Sequence, residues 1–189
     1  AHATSYAAIA YQQAYFKAHH PTAFFTAALR TEDNEDNQVS LIQDAKSHGI
    51  DVLPPSVNES GQQFIAIPGK QEIRFGLGTI KNVGKQAQVI VDEREENGPY
   101  ESFMDLCLRA IPNLRAVKSL IKVGAMDCFD LSRNAMYTQK DEAMTYARKM
   151  RDYRRGDRVS EPEKPTIQDK PEWPAKMRFQ QERDVAKMY

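Results

Sequence analysis

Lys81-Asn82-Val83-Gly84-Lys85-Gln86 is the run best suited to hold an anion. Asn and Gly tolerate positive φ more readily than other residues, so a tight turn on Asn82 and Gly84 can aim successive backbone N–H groups outward at the start of a helix. Such donors, added to the positive end of the helix dipole, bind a phosphate, and Lys81 and Lys85 bring charge to either side of it. Contacts of this kind grip a nucleic-acid backbone and carry no base information. The competing reading is a structural corner in which Val83 plugs the core.

A weaker copy follows. Ile111-Pro112-Asn113 makes a second turn with Asn113 as the cap of a helix carrying Val117, Leu120 and Ile121, and Arg115 and Lys118 lie near its start. Residues 147–158 hold six basic residues against two acidic ones, which fits either a DNA-tracking surface or a solvated helix end. Cys107 and Cys128 lack metal-ligand spacing and read as buried free thiols. The four histidines also lack partners at zinc spacing, so no structural metal is expected.

The elements that must position these groups are mainly helical. Residues 5–18 are rich in Ala, Tyr, Gln and Phe without Gly or Pro, which reads as a helix buried on much of its surface. Pro21 opens a second helix over 22–30, with Phe24, Phe25 and Leu29 as its apolar side. A polar connection over 31–37 precedes a third helix, 38–48, stopped by Gly49. Residues 64–67 and 73–75 flank a Pro68-Gly69 turn as a small hairpin, which 50–53 could join as another strand.

Leu77 and Ile80 belong to a short first helix of the phosphate hairpin, and Val83, Ala87, Ile90 and Val91 line one face of its second. Ser132 caps a longer helix to about Tyr153. The four prolines Pro162, Pro165, Pro171 and Pro174 mark residues 159–174 as a linker, and 175–189 read as a charged helix without a stop signal, as inside a larger protein.

The formal net charge is zero, from 26 Lys+Arg against 26 Asp+Glu, so any DNA affinity has to come from local arrangement. No apolar run approaches the roughly 20 residues of a membrane-spanning helix, and no secretory leader is recognisable, which makes the cytoplasm the expected location.

The run from Leu77 to Arg94 resembles helix-hairpin-helix sequences at almost every position. Four further segments, in order, resemble the C-family bacterial DNA polymerase III alpha subunit. They are Ala1-His2-Ala3-Thr4-Ser5-Tyr6, Val52-Leu53-Pro54-Pro55-Ser56-Val57-Asn58, Ile73-Arg74-Phe75-Gly76-Leu77-Gly78 and Leu120-Ile121-Lys122-Val123-Gly124-Ala125-Met126-Asp127. The likeness spans 1–135 and resumes over 173–189.

It implies a fold that is mainly α with a small β-hairpin element: a helical fingers segment, 1–72, followed by a tandem helix-hairpin-helix module, 73–135. A basic helix over 136–158, the linker and a helix leading to an OB-fold outside the chain complete the expected division. The family extends a primer from dNTPs with two magnesium ions on palm aspartates. No Asp-x-Asp occurs here, so no catalytic residue, cofactor or metal ligand is expected within the chain.

In the family's lysine-serine-histidine-alanine motif, matched by Ala1-His2-Ala3, His2 would contact the incoming triphosphate, while Lys17, His19 and His20 read as surface or packing residues. The partners implied are template-primer duplex DNA, a dNTP and other replisome subunits. The family's sliding-clamp peptide is not recognisable within 154–171. Two alternatives stand beside this reading, a stand-alone helix-hairpin-helix DNA-binding or repair protein and a helical protein-interaction module.

Overall fold

A computed structural model of the chain describes residues 2–186, with the His2 side chain outside the described set. Three helices open it: α1 (His2–His19), α2 (Pro21–Thr31) and α3 (Glu35–Ser47). Pro21 sits in the first turn of α2, where its missing N–H costs nothing, and the helix buries Phe25 and Leu29. α3 begins three residues before the expected Gln38. Asn34 caps it by accepting from the Asp36 and Asn37 amides, with Glu35 and Asp36 at the positive end of its dipole.

α1 corrects an expectation. Residues 3–16 are exposed throughout, with Tyr6, Ile9, Tyr11, Tyr15 and Phe16 between 49 and 72% accessible. Composition gave the helix, but burial depends on a surface opposite it, and α1 meets the rest of the chain near its corner with α2. There Lys17 pairs with Asp44 of α3 at 2.7 Å and lies over the Phe25 ring.

Gly49, at φ +74°, ends α3, and the chain enters β1 (Asp51–Leu53). β2 (Ile65–Ala66) and β3 (Glu72–Arg74) form the expected hairpin, which β1 joins in the order β1-β3-β2. β1 runs parallel to β3, with Val52 opposite Ile73, and β2 runs antiparallel to it, with Ala66 opposite Ile73.

Beyond the sheet come a 3-10 turn (Leu77–Thr79), α4 (Gln86–Asn97), α5 (Phe103–Arg109), α6 (Leu114–Lys122), α7 (Arg133–Arg154) and α8 (Ala175–Val185). One buried cluster runs from Phe25 through Ile73, Leu77, Ile90 and Leu120 to Val185. The Pro-Pro loop after β1 is bonded into the helical half. Asn58 exchanges two hydrogen bonds with the Tyr100 backbone at 2.8 and 2.9 Å, and the Val57 N–H donates to the Ala125 carbonyl at 2.8 Å.

Residues 159–174 form neither helix nor strand, but from Gln168 onward they are bonded to α7. Gln139 exchanges hydrogen bonds with the Gln168 backbone, the Ser132 hydroxyl donates to the Lys170 carbonyl, and the indole N–H of buried Trp173 donates to Asn134. This strap delivers α8 onto α6, where Val185 and Ala186 are buried. The cysteines are both free, but only Cys107 is buried. Cys128, expected to be buried as well, is exposed on the loop before α7.

Candidate nucleic-acid interface

The first hairpin turn is built by two left-handed residues, Asn82 at φ +68° and Gly84 at φ +43°. Nothing lies within 4 Å of where a Gly84 Cβ would stand, so glycine is needed there for the backbone and not for space. Val83, between them, is 2% exposed and points into the core. Val83 packs into the core while neighbouring amides find no acceptor among the described residues, so the structural corner and unused backbone donors coexist.

The amides divide into two groups. Those of Val83, Gln86 and Ala87 donate to the Ile80, Val83 and Gly84 carbonyls, and that of Lys81 donates to Val185 at the end of α8, at 2.9 Å. The amides of Asn82, Gly84 and Lys85 have no acceptor among the described residues. Lys81 and Lys85 are exposed and make no ion pair among the described residues, while Gln86 is half-buried.

α4 has no acidic residue in its first turn and carries Asp92, Glu93, Glu95 and Glu96 toward its other end. Two lysines beside the positive end of a helix dipole repel it, and a bound anion relieves that repulsion. The 3-10 turn carries Leu77, and Ile80 follows it, so the expected first helix is a single tight turn.

The second turn keeps this plan with other residues. Ile111, at φ +40°, takes the left-handed position without being glycine, and the Asn113 side chain caps α6 by accepting from the Ala116 amide at 2.9 Å. Arg115 is exposed and Lys118 half-buried, and neither makes an ion pair among the described residues. The Asn82 side-chain amide donates to the buried Ser119 hydroxyl of α6 at 3.2 Å, tying the first turn to the second helix pair. Lys81, Asn82, Val83, Gly84, Lys85 and Gln86 thus lie in one continuous turn, joined through Asn82 to the helix that carries Arg115 and Lys118.

Two arginines, Arg109 half-buried and Arg133 buried, hold this scaffold. Arg109 pairs with Glu93 and Asp105 at 3.0 Å, donates to the Gly98 and Pro99 carbonyls, and stacks on Tyr100 with its guanidinium 4.6 Å from the ring centre. Arg133 pairs with Asp127 at 2.6 Å and with Glu182 of α8 at 2.7 Å, and donates to the Lys122 carbonyl. Burial alone would lower the Arg133 pKa, yet its hydrogen bonds to the two carboxylates hold it above the ordinary arginine value.

Sequence reading did not single out Ser119, Arg133, Glu182 or Val185. A serine on an otherwise apolar helix face was a usable signal for Ser119, but the contacts of Arg133 with Glu182 and of Lys81 with Val185 join residues 49 and 104 positions apart and leave no local trace. The His2 side chain, the one expected triphosphate contact, lies outside the described residues.

Among the described residues no three His, Cys, Asp or Glu side chains converge as a metal site, and no helix is long and apolar enough to cross a membrane.

The family model for the helix-hairpin-helix motif matches residues 49–136, which takes in both turns. Curated relatives bear the name DNA polymerase III subunit alpha. The chain is 44% identical to that of Thermus aquaticus over 68% of its own length, 36% to that of Staphylococcus aureus over 76%, and 34% to that of Xylella fastidiosa over its entire length. It spans only 11%, 14% and 17% of those proteins respectively.

Proposed function

The chain belongs to the DNA polymerase III alpha-subunit family, and from that premise we propose that it grips template-primer duplex by the phosphate backbone, without reading bases, within a polymerase that extends primers from dNTPs. The observation that carries this reading is the first hairpin turn. Left-handed Asn82 and Gly84 leave three amides beside α4 without acceptors among the described residues, flanked by two lysines that make no ion pair among them.

The roles follow from chemistry. The amides of Asn82, Gly84 and Lys85 donate to phosphate oxygens, and Lys81 and Lys85 neutralise the charge. Val83 fixes the turn from inside the core, and Gln86 opens α4 beside the site. Arg115 and Lys118 supply the second hairpin's weaker contact.

Bond making belongs to carboxylates of the larger protein, where magnesium would activate the primer hydroxyl and neutralise the leaving phosphates. The residues present here do not fit a metal pair, so no step of that reaction is assigned to them. A contact from His2 to the incoming triphosphate, a cytoplasmic setting and association with other replisome subunits extend the same proposal and rest on family membership.

Fluorescence anisotropy with a duplex of arbitrary sequence over a salt series tests the grip. Affinity should fall steeply as salt rises, and Lys81→Ala with Lys85→Ala should make the log–log slope shallower by about 2, close to 0.9 per lost phosphate contact. A double variant with unchanged affinity and slope would rule out the hairpin as the site.

A further inference from the structure

We infer that the C-terminal end of α7 is a second site for duplex phosphates, extending the grip beyond the two hairpins; this rests on the hairpin reading above. α7 is about 33 Å long and α6 about 14 Å at 1.5 Å per residue. The two start from the same place, since Arg133 at the head of α7 donates to the Lys122 carbonyl at the tail of α6. From that end α6, with the second turn at its start, packs against α7. α5 packs against α7 as well, and strap residues Pro165 to Ile167 line a cleft with Phe103 and Met104 at its start.

The exposed side of the last turns of α7 is cationic. Met136, Ala143, Ala147 and Met150 form its buried face, yet Arg154, one turn on from Met150 on the same side, is exposed. Arg148, Arg151 and Arg155 recur at i, i+3 and i+7 on the adjacent flank. Arg151 and Arg154 in the last turn already match the negative end of the helix dipole. Arg148, Lys149, Arg154 and Arg155 make no ion pair among the described residues, and Arg151 has only its neighbour Asp152, at 3.7 Å.

A chain with no net charge has thus gathered unpaired cations on a rigid helix anchored to the second hairpin. The ligand this fits is the phosphate backbone of the duplex held by the hairpins. Arg148 to Arg155 rise about 10 Å along the helix, which spans roughly three base pairs at 3.4 Å each.

The experiment compares four forms of the full chain on one duplex over a salt series: parent, the Lys81→Ala/Lys85→Ala hairpin variant, the helix variant Arg148→Gln/Arg154→Gln/Arg155→Gln, and the same three positions changed to Lys. All the substituted residues are exposed, so circular dichroism should report an unchanged fold in all four forms. The helix variant should bind about tenfold more weakly at low salt, with a slope shallower by 2 to 3, and the Lys version should restore the parent slope because phosphate contacts of this kind read charge. If the hairpin variant weakens binding while the helix variant matches the parent in affinity and slope, the α7 site is refuted and the hairpin reading stands. If the hairpin variant matches the parent, the hairpin reading itself fails. Loss of binding to anionic phospholipid vesicles by the helix variant, with duplex binding intact, would assign the surface to lipid and also refute the proposal.

Discussion

Gly124, at φ +79°, stands where any side chain would collide with the Arg133 guanidinium and the Asp127 carboxylate. Its place in the loop between α6 and α7 is set by the ion network that joins those helices to α8, so the missing Cβ is as much a part of the network as the charges. Gly124→Ala should cost about 3 kcal/mol, combining left-handed strain with displacement of a buried, doubly paired arginine. Denaturant titration reads this as a lower midpoint with an unchanged m-value; a midpoint within error of the parent would mean that Arg133 repositions freely. At this scale the sequence was legible wherever the cause is local. Asn82 and Gly84 announced positive φ, and Asn34, Asn113 and Ser132 cap the helices that follow them, two of the three as expected. Asn34 was missed because the acidic residues after it resemble a solvated loop, although acidic side chains are also what a helix start favours.

Helices were legible as elements, since apolar spacing and stop residues act within a few turns. How each is covered was not, because that depends on partners far along the chain. α1 and the 159–174 strap show the two directions of this failure. The Ala- and Tyr-rich α1 reads as buried and lies exposed, while the Pro-rich segment reads as a free linker and is bonded along α7 from Gln168 to Trp173. Helices in water draw most of their stability from tertiary packing, and one with no covered face is marginal by itself. Deleting residues 1–12 should therefore leave the thermal midpoint within a few degrees of the parent and duplex affinity unchanged, whereas backbone amides of residues 3–13 should exchange with solvent far faster than those of α4 to α7. A large drop in the midpoint on deletion would show that α1 supports the body through contacts other than those at its corner with α2.

For the whole molecule, zero net charge means that general self-repulsion contributes little near neutral pH, and the alkaline limit falls instead to two neutral groups shut inside the helical half. Burial pushes the Cys107 thiol from 9.0 up to about 12, and burial also raises the Tyr100 hydroxyl from 10.0 to about 12, opposed in part by Arg109 beneath its ring. In both cases the folded state holds the proton more tightly than the unfolded chain, so stability is undiminished below pH 9 and declines as the pH climbs toward 12, first through Cys107 and then also through Tyr100. Near pH 10.5 the combined loss relative to pH 8 should be about 2 to 3 kcal/mol, most of it from Cys107. Cys107→Ala lowers stability at every pH by leaving a small cavity, but it removes the larger titrating group. The fall between pH 8 and pH 10.5 should therefore shrink to about 1 kcal/mol in that variant, read from guanidinium midpoints at the two pH values. An equal fall in parent and variant would show that the buried thiol is not the source of the alkaline weakness.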